Sequence, residues 1–318
     1  MQLKTIVGFS ALALCTLPSI ARADDPKFEY GKSDDLKDVK AVVWKAAAQA
    51  GFVFTSGNSH TTTITGGLTA SRKEGDNKFS IEANGAYGKS ELRIANDLNG
   101  DNVLSADEIQ TVNQATTNNW LAKARYDRFL TEQNSIFVTA RVGADEIAGK
   151  DLIAGGQLGY SRLIYKDENH ELAGEAGYDF SYESYAADGV DALSIHSLRL
   201  FVGYTGKLSA ETSVGAAVEW LTNLNSEKDA PNDSDGDGNA FGQVGVDALK
   251  DNRITGKAEL TTKLRTNMSF RVAFLAKYDS APAPLPNVKG TDGYGPMYQP
   301  IAEDLDTTVE AQLIVDLL

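Results

Sequence analysis

Residues Val42–Asn58 read VVWKAAAQAGFVFTSGN. Val42, Trp44, Ala46, Ala48, Ala50, Phe52 and Phe54 share one parity, and Lys45, Ala47, Gln49, Gly51 and Thr55 share the other. A period of two describes a strand with one apolar and one polar face. An aromatic stands near each end of the apolar face, and Ser56-Gly57-Asn58 supplies a turn. Such a segment fits the wall of a membrane barrel, with the apolar parity toward lipid and the polar parity toward a lumen.

The same pattern recurs downstream. Alternating segments are expected at 61–72, 78–89, 117–129, 135–145, 152–165, 171–182, 193–206, 211–221, 253–263, 268–278 and 307–318. With the first, they make about twelve strands, each near the ten residues that a tilted membrane strand needs. The connections sort by parity. Those at 73–77, 130–134, 166–169, 207–210 and 264–267 are short, whereas 90–116, 183–192, 222–252 and 279–306 are long. Short turns at one rim and long loops at the other mark an outer-membrane barrel, and a soluble sandwich has no reason to sort them. The sorting predicts periplasmic termini and tight turns, with the long loops outside. Aromatics fall where two girdles belong: Trp44, Phe79, Tyr126, Tyr160, Tyr204 and Phe270 near one rim, and Phe54, Tyr87, Trp120, Phe180, Trp220 and Tyr278 near the other. The fold class is therefore all-β, a closed antiparallel up-and-down transmembrane barrel spanning 41–318.

The ends of the chain fit that class. Residues 1–23 read as a secretory signal peptide: Lys4 precedes an apolar run over 6–17, and Ala21-Arg22-Ala23 forms a small-x-small cleavage site. The lone Cys15 lies inside it, behind a Leu14 too bulky for a lipidation site, so the mature chain is expected to lack thiols. Residues 24–40 read as a charged periplasmic leader. The mature chain would carry 28 bases against 44 acids, a net −16, which disfavours nucleic acid as a partner. No other apolar run has the roughly 18 residues of a transmembrane helix. Expected partners are outer-membrane lipid and lipopolysaccharide, with small solutes if the lumen is open. The chain is read as a monomer.

Several stretches also resemble a known family. Trp44, Gly51, the Ser56-Gly57-Asn58 turn, the segments Ala124-Arg-Tyr-Asp-Arg-Phe-Leu-Thr131 and Gly159-Tyr-Ser-Arg-Leu-Ile-Tyr165 are similar to the salt-induced outer-membrane proteins, catalogued as a domain of unknown function. The resemblance runs from Val42 to the C-terminus. It implies an outer-membrane barrel and no agreed activity, so it carries over no catalytic residues. The chain departs from the pattern in long acidic inserts in its second and fifth outer loops, and in ending Val-Asp-Leu-Leu without a terminal aromatic.

Three constellations could carry chemistry. Residues 97–108 (DLNGDNVLSADE) match the twelve-residue calcium loop: Asp97, Asn99 and Asp101 at positions one, three and five, the Val103 carbonyl at seven, Ser105 at nine and Glu108 at twelve. Asn102 replaces the usual glycine but tolerates the left-handed conformation. A helix-like segment adjoins one side only. These ligands would hold Ca²⁺; the alternative is a solvated acidic turn. Asp233, Asp235 and Asp237 echo the spacing, but Val244 stands where the closing glutamate belongs.

The second constellation is the inward parity, which carries both signs: Lys45, Glu82, Lys123, Arg125, Arg141, Asp145, Glu171, Glu175, Asp179, Arg199, Glu219, Arg253, Lys257, Glu259, Arg271 and Glu310. They line a narrow aqueous channel with a transverse field, or pair to fill a structural lumen. The third is an enzyme on the wall, as in twelve-stranded outer-membrane phospholipases. His60, His170 and His196 lack the His-x-Ser spacing of those lipases, and Ser197 beside His196 must face the opposite way. The leading expectation is a non-enzymatic barrel, either a narrow passive channel or an envelope-stress protein with calcium-binding outer loops. The alternative is a surface interaction barrel with a salt-bridged, plugged lumen.

Overall fold

The computed structural model describes residues 42–55, 61–95, 109–186, 190–231, 243–283 and 303–317. The signal peptide and leader expected over 1–40 lie outside them. Among the described residues there are fourteen strands: β1 (Val43–Thr55), β2 (Thr61–Glu74), β3 (Asn77–Ala95), β4 (Ile109–Thr131), β5 (Asn134–Asp145), β6 (Lys150–Lys166), β7 (His170–Tyr185), β8 (Leu193–Lys207), β9 (Thr212–Asn223), β10 (Glu227–Pro231), β11 (Gln243–Val246), β12 (Asn252–Arg265), β13 (Met268–Asp279) and β14 (Leu305–Asp316).

Twelve of them close a barrel in the order β1-β14-β13-β12-β9-β8-β7-β6-β5-β4-β3-β2. Each neighbour pair is antiparallel, as an up-and-down meander requires. The seam joins β1 to β14 through Ala47↔Asp316, Ala48↔Val315, Gln49↔Ile314 and Ala50↔Leu313, so the last strand returns to the first and leaves no open edge.

Burial is inverted relative to a soluble protein. Phe52, Leu68 and Leu158 are 65%, 58% and 62% exposed, and Trp44, Phe79, Tyr87, Trp120, Tyr126, Phe270 and Tyr278 also point outward. Among the buried described residues, polar and charged side chains outnumber apolar ones about two to one. Along β5, buried Ser135, Phe137 and Thr139 alternate with exposed Ile136, Val138 and Ala140, the direct trace of this two-faced wall. A closed barrel satisfies its backbone internally, which is what a lipid-facing surface demands.

The tight turns lie at one rim, together with the start of β1 and the end of β14. Gly75, at φ 56°, makes the β2–β3 turn possible with only two loop residues. At the β6–β7 turn Asp167 accepts the amides of Asn169 (2.8 Å) and His170 (2.6 Å) and the Tyr165 hydroxyl (2.7 Å). The Tyr165 hydroxyl, then these amides, hold its carboxyl below the usual carboxylate range.

Two features of the long-loop rim differ from the sequence expectation. Residues 90–116 are read from the sequence as loop. Instead the β3–β4 ladder continues to Ala95↔Ile109, and the segment after Glu108 enters β4 as strand. Leu92↔Val112 and Arg93↔Thr111 pair there as an antiparallel ladder. In the fifth long loop, β10 and β11 form a separate two-stranded ribbon.

Candidate functional site in the barrel lumen

The period of two sends the polar residues of each strand inward, and the register then decides which of them meet. Arg125 on β4 is nearly buried and donates to Asp127 on its own strand (2.7 Å) and to Glu175 on β7 (2.7 Å). Strands β5 and β6 lie between β4 and β7. The bridge is therefore a chord across the lumen rather than a ladder pair. Arg199 on β8 binds the second oxygen of Glu175 at 2.7 Å and also reaches Glu219 on β9. The Glu175 carboxylate is thus shared by two guanidiniums, and its side chain is 1% exposed. Buried charges persist only when paired and hydrogen-bonded, and these are both.

Phe137 on β5 lies beneath this layer. The Arg125 guanidinium carbon stands 4.0 Å from its ring centroid and that of Arg199 stands 5.7 Å away. Room for the ring comes from glycine. Phe137 pairs with Gly159, and Gly159 with Gly177. A methyl group on Gly159 would sit 2.6 Å from the ring and 2.8 Å from the Ala176 carbonyl. Phe201, next to Ala173 and Ala217, adds a second buried aromatic.

Nearer the long-loop rim a second layer forms. Arg141 pairs with Asp179 at 3.0 Å, and Gln157 donates to the same carboxylate at 2.9 Å. Glu183 receives Lys150 at 2.7 Å and Arg253 at 3.1 Å, and Arg253 also faces Asp251 at 3.4 Å. Across the barrel, Arg271 binds Gln312, Gln49 (3.1 Å) and Glu259 (3.5 Å), while Gln49 donates to Asn84 at 3.0 Å. Lys123 and Glu82 close to 4.0 Å.

A cavity of about 400 Å³ lies within the barrel. Its lining runs from Ile147, Pro282 and Asp306 at the long-loop rim down to Arg125, Arg199 and Glu219. The lumen-facing positions of β1 and β2 mix small residues (Ala47, Gly51, Thr65, Gly67 and Thr69) with Gln49 and the buried Lys73, and Gly67 lies against Gln49 and Asn84. Whereas β1 joins the lumen network through Gln49, the cavity is bounded by ion-paired residues of β3–β9, β12 and β13. Its chemistry is a polar compartment of both signs, suited to a small charged or zwitterionic solute.

The inward parity read from sequence holds for Arg125, Arg141, Asp145, Glu175, Asp179, Arg199, Lys257 and Arg271, all buried or half-buried. Lys150, Glu183, Asp251 and Phe137 also contribute, and of these Glu183 has a signal in the alternation, as the next inward position after Asp179 and Ser181. The calcium-loop ligands Asp97, Asn99, Asp101, Val103, Ser105 and Glu108 lie outside the described residues, as do Asp233, Asp235, Asp237 and His60. His170 Nδ1 meets the Tyr204 hydroxyl at 2.7 Å, and His196 bonds the Tyr178 hydroxyl on the outer face.

Comparison with solved structures returns membrane barrels of low sequence identity. The NanC porin aligns over 86% of this chain and all of its own, at 8% identity and a TM-score of 0.42. The translocator domain of autotransporter NalP from Neisseria meningitidis aligns over 89% of this chain and 91% of its own, at 14% identity and a TM-score of 0.38. The outer-membrane channel DcaP of Acinetobacter baumannii aligns over 87% and 97%, at 12% identity and 0.32. No curated protein sequence matches the chain. A family model does, over residues 48–235, more than half of the length and the part that contains the Arg125–Glu175–Arg199 layer. The chain belongs to DUF481, a family described as proteins of unknown function.

Proposed function

We propose that the protein is an outer-membrane barrel serving as a narrow passive channel for small polar solutes, with the tight-turn rim toward the periplasm. The observation that carries this is the 400 Å³ cavity of mixed charge above the Arg125–Glu175–Arg199 layer, lined up to Pro282, Glu303 and Asp306 at the long-loop rim. The exposed apolar belt supports the membrane setting, and a closed barrel without an unpaired edge is consistent with a monomer. A non-enzymatic reading is supported by His170 and His196, which bond tyrosines rather than serines. Purified protein reconstituted in planar bilayers should give small, discrete conductance steps, and vesicles should swell in glycine but not in a trisaccharide. Silent bilayers together with unswollen vesicles would overturn the channel.

A second reading, a plugged surface-interaction barrel that contacts lipopolysaccharide, is favoured by the near-complete burial of Arg125, Glu175 and Arg199. It expects no conductance in the parent and its appearance when Arg125 and Glu175 are both replaced by alanine. Calcium at Asp97–Glu108 remains part of the proposal on ligand spacing, with a dissociation constant on the order of 10⁻⁴ to 10⁻³ M. Calcium should slow proteolysis of the β3–β4 connection, and Glu108→Gln should remove the effect.

A further inference from the structure

We propose that the β10–β11 ribbon is a proton-operated latch on the long-loop mouth of the barrel, held down when the Glu227 carboxyl is protonated and released when it ionises.

The base of the ribbon is pinned. Asn223 donates its side-chain amide to the carbonyls of Asn225 (2.9 Å) and Asp247 (3.1 Å), and its own side-chain oxygen accepts the Asp251 amide (3.0 Å). Asn225 clips to β8 through the His196 amide (2.8 Å) and the Ser194 carbonyl (3.1 Å). On the returning side, Leu249 takes φ 67°, a left-handed conformation that marks the bend. Beyond these clips only a few contacts hold the ribbon to the wall. Val246 packs on Leu193 and Ile195 beside Tyr185, and Glu227, paired with Val246, turns into the mouth.

Glu227 is 3% exposed, and its Oε1 is buried with no hydrogen-bond partner. Of the nearby cations, Lys150 binds Glu183, and Arg253 binds Glu183 and faces Asp251 while its Nη2 makes no hydrogen bond. The groups that face Glu227 are Asp251 and Arg253 at the start of β12 and Glu183 on β7, with Asn223 as its hydrogen-bonding neighbour. Asp251 in turn meets Asp279 on β13, Glu183, Arg253 and Lys150. Leu193 and Ile195 of β8 bring no charge. Acids thus outnumber bases around a carboxyl that water does not reach, and a proton is a ligand that needs no extra space. Burial first, and the Asp251 charge next, push the Glu227 carboxyl up to about 7. Burial, opposed by Arg253 and reinforced by Asp279 and Glu183, lifts Asp251 to about 6.

The direction follows by linkage. A carboxyl with a higher pKa in the docked state favours docking most below its undocked range, near 4.3. Docking then weakens about tenfold per pH unit as pH rises toward the docked value, and is flat above it. The latch is closed in acid and loosened at neutral to alkaline pH. It does not rest on conduction, so it can fail while the channel stands, and the reverse.

The full-length protein, with Cys15→Ala and a single Val246→Cys, is folded in lipid vesicles and treated with a thiol reagent at pH 5 to 8. An Ala210→Cys variant, in the exposed β8–β9 turn, corrects for ionisation of the thiol itself. The corrected rate at position 246 should rise at least tenfold across that range. Glu227→Gln should keep it low and flat, and Asp251→Asn should move the midpoint to lower pH. A flat profile in the parent overturns the latch, as does an unchanged profile in Glu227→Gln. If Glu227→Gln does not fold, an unmoved midpoint in Asp251→Asn overturns it as well.

Discussion

At the scale of single residues, the carboxylate of Glu175 organises the lumen. Two guanidiniums converge on it from different strands, so removing it strands two buried cations at once. Glu175→Ala is expected to cost about 3–5 kcal/mol in reversible urea unfolding from vesicles, within the range for breaking a buried pair. Glu175→Gln, which keeps some hydrogen bonding, should cost less. Replacing Arg125, Asp127, Glu175, Arg199 and Glu219 together by apolar residues of matched size should recover much of the loss, since no charge is then left without a partner. Parity in the sequence revealed that Arg125, Glu175 and Arg199 face inward. It could not reveal that they meet, because Arg125 and Glu175 are separated by two whole strands and their encounter depends on the register of each intervening pair. Phe137 and Phe201 were equally hidden: an aromatic on a polar parity looks like an exception until the guanidinium above it is seen.

At the scale of elements, the Phe137–Gly159–Gly177 row shows how β5, β6 and β7 share one side chain. The two glycines form a slot for the ring. Gly159→Val should displace Phe137, cost about 1–3 kcal/mol by overpacking, and do so without altering strand content in circular dichroism. Gly66→Val, where an added carbon meets nothing within 4 Å, serves as the tolerated control. Strand positions were legible because lipid and lumen impose opposite demands on alternate residues over many consecutive positions. Strand ends were less so. Beyond Ser90 and before Asn118 the strands leave the barrel wall, β3 and β4 pair only with each other, and the two-faced pattern fades. The β10–β11 ribbon was illegible for the same reason: EKDAP and QVGV are too short to display a period.

At the scale of the whole molecule, closure was legible from the sorting of loop lengths, and the seam pairs β1 with β14 as that sorting required. Openness of the lumen was not, since the same inventory of charges can line a channel or fill one. The Arg125–Glu175–Arg199 layer at the floor of the cavity predicts where widening succeeds. Arg125→Ala with Glu175→Ala should enlarge the conductance step several-fold. Thr255→Trp in the cavity wall should reduce it, with both variants read in planar bilayers beside the parent. The β3–β4 ladder has a separate practical consequence. From Asn118 to Ile109 it runs ten residues past the last pair with β5, about 33 Å at the usual strand rise. That projection is a handle: an affinity tag inserted between Ala95 and Ile109 should be captured from intact cells while the barrel's melting temperature stays unchanged. Such a tag would let antibodies or beads hold the protein from outside the cell and leave the mouth of the barrel to solutes.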